Sequence, residues 1–100
     1  MIVAFSVAPS GTGRADGSVS DAVAEAVRVV RESGLPNRTD AMFTTIEGDW
    51  DAVFDVVKRA TEAVVPFGAR VSLVLKADIR PGYEGELDGK VQRLEEHLAE

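Results

Sequence analysis

One hundred residues, 45% hydrophobic and 28% charged, describe a chain that folds around one core and is too short to leave room for a second domain. A formal charge of −6, with its 11 Lys and Arg residues scattered, works against a nucleic-acid partner, which draws on clustered basic groups. Without cysteine there is no disulfide, thiolate metal site or cysteine nucleophile, and no segment is long and apolar enough to insert into a membrane.

Residues 2–8 (IVAFSVA) alternate, with Val3, Phe5 and Val7 on one side and Ile2, Ala4 and Ser6 on the other, which predicts a strand with one strongly apolar face. This stretch is short and has no basic flank, so no export signal is expected and the protein is placed in the cytoplasm. The glycine-rich segment that follows, SGTGRADGSVS, invites a phosphate-binding reading that its spacing does not support. A P-loop needs Lys and Ser or Thr directly after the last glycine, whereas Gly17 is followed by Ser18 and Val19. Gly11, Gly13 and Gly17 are spaced one residue too long for the dinucleotide fingerprint. The segment therefore reads as a connection that can fold over a ligand.

Ser18, with Asp21 three residues on, forms a capping-box pattern and predicts a helix starting near Val19. Val19, Val23, Ala26, Val27 and Val30 make its apolar stripe, and Gly34 and Pro36 end it. Residues 37–48 (NRTDAMFTTIEG) are rich in Thr and β-branched side chains, which fits either one bent strand or a hairpin turning near Met42 and Phe43. Asp49 can cap a second helix with the stripe Val53, Phe54, Val57, Ala60, Val64 and Val65, closed by Pro66 and Gly68.

Residues 70–80 alternate again, Val71, Leu73, Leu75, Ala77 and Ile79 against Ser72, Val74, Lys76, Asp78 and Arg80. A Pro-Gly turn then leads to a terminal helix with the narrower stripe Leu87, Val91, Leu94 and Leu98. Two amphipathic helices on one face of a small sheet bury both stripes and leave the other face open. If a hairpin lies between the helices, the chain is a βαββαβ ferredoxin-like α+β sandwich with an added C-terminal helix.

His97, the only histidine, lies on the last helix without a clustered partner and reads as a solvated surface residue. Glu47, Lys76 and Asp78 lie in or at the ends of predicted strands, where a charge faces water, a partner or a ligand. Cross-strand charge pairs on an open sheet face explain them equally well. That face also carries Ile2, Ala4 and Val74, an apolar patch that a second copy of the chain would cover. Trp50 and Tyr83 stand near strand ends, suited to packing or to ring stacking on a ligand. An enzyme reading would rest on a carboxylate pair, Glu47 with Asp78, for proton transfer.

The segments FSVAPSGTG…SVSDAVAEAV, MFTTIEGDWDAVFDVVKRATEAV and GARVSLVLKADIR resemble the small prokaryotic thiamine-binding proteins. The resemblance implies a ferredoxin-like fold, homo-oligomers built as tetramers of paired dimers, and a role without catalysis or cofactor. It implies binding of thiamine or its hydroxymethylpyrimidine moiety in thiamine uptake or salvage inside the cell. By motif it points to Ser6 and Pro9 at the end of the first strand, Met42, Thr44 and Glu47 in the central segment, and Lys76 and Asp78 in the last strand. Where the family has Pro and Gly around Met42, this chain has Ala41 and Phe43, which affects the width of a pocket there. Glu47 suits the ligand's amine as an acceptor, and Phe43 and Met42 suit its rings.

Overall fold

The computed structural model describes residues 1–10 and 19–99. The glycine-rich connection and the Ser18 cap lie outside the described residues. In chain order the elements are β1 (Ile2–Ser10), α1 (Ser20–Glu32), β2 (Asn37–Thr39), β3 (Thr44–Glu47), α2 (Trp50–Val64), β4 (Arg70–Asp78) and α3 (Glu86–Leu98). The four strands form one antiparallel sheet in the order β2-β3-β1-β4, the ferredoxin-like arrangement with an extra C-terminal helix.

Residues 37–48 form a hairpin. β2 pairs with β3 through Thr39 and Thr44, and the Asp40 amide donates to the Phe43 carbonyl at 2.9 Å to close the turn. Both side chains named for the turn, Met42 and Phe43, sit within it.

Alternation along β1 works as expected: Val3, Phe5 and Val7 are buried against the helices, joined by Ile46 from β3. α1 supplies Ala22, Ala26 and Val30, and α2 supplies Val53, Val56, Val57, Ala60 and Val64. Asp49 caps α2, its carboxylate accepting from the Ala52 amide at 2.9 Å.

Three expectations need correction. Val65 does not extend the α2 stripe: its backbone stays helical, but Pro66 has no amide N–H with which to continue the α-helix, and the chain tightens into a single 3-10 turn (Val65–Phe67) that leaves Val65 exposed. Val56, which the expected stripe left out, is buried within the helix. Ile79 is exposed because β4 ends at Asp78, ahead of the turn in which the Tyr83 amide bonds to the Arg80 carbonyl. Leu73 sits opposite Val7 on the helix side yet is 43% exposed, since β4 is an edge strand that the helices cover incompletely.

Candidate functional site

Unequal strand lengths open a crevice. β3 pairs with β1 only from Ile2 to Phe5, while β4 follows β1 as far as Ser10. Beyond Phe5 the chain of the hairpin turns away, and the edge of β1 along Ser6, Val7 and Ala8 faces a cavity of about 300 Å³. Its other walls are Val19, Val23, Ala26 and Val27 at the start of α1 and the hairpin segment from Thr39 to Thr44. This volume is at the small end of ligand pockets, and the mix of apolar walls with a few polar groups is typical of them. The polar groups are Ser6, Thr39, Asp40 and Thr44, with the Thr39 and Thr44 hydroxyls 3.4 Å apart. Met42, 78% exposed, and Phe43, 37% exposed, stand at its rim as polarizable and aromatic surfaces.

Four of the residues singled out from the sequence, Ser6, Met42, Phe43 and Thr44, thus meet around one cavity. Pro9 lies further along β1, buried opposite Val71 and against Gly68. Glu47, Lys76 and Asp78 lie elsewhere, on the side of the sheet away from α1 and α2.

Glu47 is 8% exposed and its two oxygens accept from the backbone amides of Glu86 at 2.8 Å and Leu87 at 3.2 Å. The residue before α3 is Gly85, held at φ +67 in the left-handed region and without a side chain to cap the helix. A carboxylate from β3 does this instead, satisfying amides that helices leave unpaired and setting a negative charge at the positive end of the helix dipole. Both Glu47 oxygens are therefore engaged within the fold, a different partner from the ligand amine suggested by the sequence.

Asp78 pairs with Lys90 of α3, whose hydrogen bond and charge hold the Asp78 carboxyl below the ordinary aspartate value. Arg38 of β2 pairs with Asp88 at 2.6 Å, and Arg93 with Glu86 at 2.6 Å. The Asp78–Lys90 and Arg38–Asp88 pairs fasten the first half of α3 across one end of the sheet, while Arg93 and Glu86 pair within the helix. Lys76 is exposed beside them, opposite Ala4. The Glu47–Asp78 proton-transfer pair has no support in this geometry, because each carboxylate is tied to α3.

A second crevice of about 540 Å³ lies at the opposite end of the sheet, between Leu35, Pro36, Gly48 and the segment from Gly82 to Gly85. It is larger, but Glu47 and Asp49 in its wall already cap α3 and α2. Nearby, Trp50 stacks on Phe54 at 5.2 Å between ring centres, and the Arg80 guanidinium lies 3.5 Å over the Tyr83 ring. His97 is exposed on the last turn of α3, and among the described residues no group of three or more His, Asp or Glu side chains is placed to hold a metal. No helix among them is long and apolar enough to cross a membrane.

Val19, Val23, Thr39, Asp40 and Ala41 belong to the cavity wall although the sequence did not single them out for it. The first two read as helix stripe, and the others become visible only once the hairpin fixes which residues turn toward α1.

Fold and crevice define a small ferredoxin-like domain with a half-open pocket between its first helix and the edge of β1 beyond its pairing with β3. Residues 3–95 match the family model described as thiamine-binding protein, and the chain belongs to that family. It is 54% identical over 99 residues to the UPF0045 protein Mb1933 of Mycobacterium bovis, an alignment spanning 98% of this chain and 94% of that one. Among solved structures, that of protein MJ1052 from Methanocaldococcus jannaschii superposes with a TM-score of 0.84 at 33% identity, covering 95% of each chain. A domain-of-unknown-function structure, DUF77, from Bacillus cereus gives a TM-score of 0.80 at 36% identity, covering 92% of this chain and 86% of the other.

Proposed function

We propose that this protein binds thiamine or its hydroxymethylpyrimidine moiety, without transforming it, in cytoplasmic thiamine uptake or salvage. The observation that carries the reading is the crevice beside β1, in a chain whose family is described as thiamine-binding. Ser6, Thr39 and Thr44 supply hydroxyls for the ring nitrogens and amine of an aminopyrimidine, and Phe43 and Met42 supply surfaces for flat rings. Pro9 supports the end of β1 from behind.

The reading includes a homo-oligomer, with a tetramer as the form implied by the family resemblance. Val91, Leu94 and Leu98 of α3 are 46%, 57% and 70% exposed, and Val74 on the uncovered sheet face is 56% exposed. An apolar stripe and an apolar sheet patch of this kind suit contact with a second copy. Under this reading Glu47, Lys76 and Asp78 serve the sheet face and its α3 cover.

Calorimetric titration of the protein with thiamine and with hydroxymethylpyrimidine tests the reading. Saturable binding of at least one compound is expected, with a Kd well below about 1 mM, and Phe43→Ala should weaken it. Failure of the wild-type protein to take up either compound at that concentration would refute the proposal.

A further inference from the structure

Asp40 is the one charged residue among the described residues that line the crevice. Its backbone amide is held by the Phe43 carbonyl at 2.9 Å, so the turn fixes where the residue stands. Its side chain is exposed and makes no hydrogen bond or ion pair among the described residues. Asp40 also borders the groove under α3 that contains Arg38 and Lys90, and these pair with Asp88 and Asp78. An unpaired carboxylate at the mouth of a pocket whose other described walls carry no charge gives that lining a negative field. A molecule entering it gains if it carries a positive charge and is opposed if it carries phosphate, since no Lys or Arg of the described lining meets the anion.

Resting on the thiamine-binding reading, we infer that Asp40 is the specificity-determining residue of the crevice, the counter-charge by which it selects a cationic heterocycle over neutral and phosphorylated relatives. Thiamine carries a permanent thiazolium charge, hydroxymethylpyrimidine carries none at neutral pH, and thiamine diphosphate adds a strongly anionic tail. Asp40 therefore ranks the three in that order of preference among ligands able to reach it. Once a ligand covers the turn, the pair is shielded from water and stronger than an exposed ion pair on the free surface.

The test is titration of wild-type protein and Asp40→Asn with these three compounds at low and high salt. Asparagine keeps the size of the side chain and leaves the backbone bond of the turn in place, and a matching thermal unfolding curve checks that it does. In the variant, thiamine affinity should fall about tenfold, the scale of losing one ion pair partly shielded from water. Hydroxymethylpyrimidine affinity should fall far less, the gap between thiamine and its diphosphate should narrow, and the salt dependence of thiamine binding should flatten. Equal thiamine affinity in both proteins would overturn the inference and leave the binding reading standing. An equal loss for thiamine and hydroxymethylpyrimidine would also overturn it, since that pattern belongs to a residue that shapes the pocket. A wild-type protein that binds none of the three would overturn the inference together with the reading beneath it.

Discussion

Replacing Glu47 with alanine will destabilise the protein by roughly 2–4 kcal/mol, the scale of losing charged acceptors from buried donors. The Glu86 and Leu87 amides both lose their acceptor, and the Glu86 amide is buried where water cannot easily replace it. The start of α3 would be left with Gly85 alone at the cap, and the salt bridges from Asp78 and Arg38 would hold the helix less firmly. Glu47→Gln keeps one oxygen in place and should lose a smaller share. Urea unfolding of the two variants measures this, with hydrogen exchange at the first turn of α3 reporting where protection is lost. Because the Glu47 side chain belongs to the helix contact, Glu47→Gln should bind thiamine almost as wild type does. Full stability in Glu47→Ala with loss of thiamine binding would return Glu47 to the ligand.

A comparable loss is expected from Gly68→Ala, for a steric reason. Gly68 has extended backbone that any residue can adopt, with φ −161, so conformational freedom is not the requirement. The requirement is space: a β-carbon there would stand 2.4 Å from the Ser10 carbonyl oxygen and 2.9 Å from the Pro9 β-carbon. The same carbonyl accepts from the Ala69 amide at 2.9 Å, so neither strand can withdraw without giving up that bond. Overpacking of this kind costs about 1–3 kcal/mol, which in a domain of this size lowers Tm by roughly 4–20 °C. Because the end of β1 must move, thiamine binding should weaken as well, and differential scanning calorimetry with and without thiamine separates the two effects. An unchanged Tm would mean that Pro9 and Gly68 approach one another less closely than these distances require.

The periodicities of the sequence carry most of the fold. Val3, Phe5 and Val7 at period two, and Ala26, Val30, Val53, Val57, Ala60 and Val64 at helical spacing, all reach the core because amphipathic patterning and burial express the same physical requirement. The positions that the sequence misjudged depend on a proline nearby, at Val65, on where β4 ends, at Ile79, or on how far the helices cover an edge strand, at Leu73. The site was harder to read. Met42, Phe43 and Thr44 are adjacent in sequence, and their grouping with Ser6 needs only the pairing of β3 with β1. The place of Asp40 in the cavity wall and the contact of Glu47 with α3 arise from pairings that no local pattern contains. Glu47 meets α3 only when the chain returns 39 residues later, and Asp40 joins the cavity wall through the hairpin turn that closes on the Phe43 carbonyl. A strand carboxylate looks the same in sequence whether a ligand or a helix end is its partner.

If thiamine occupies the crevice between β1, α1 and the hairpin turn, amide chemical-shift mapping on isotope-labelled protein will locate it most directly. Saturable shifts should concentrate in residues 5–8 and 39–44, with the segment 82–85 beside the larger crevice little affected. Shifts confined to residues 47–49 and 82–85 would contradict this placement and move the site to the other end of the sheet.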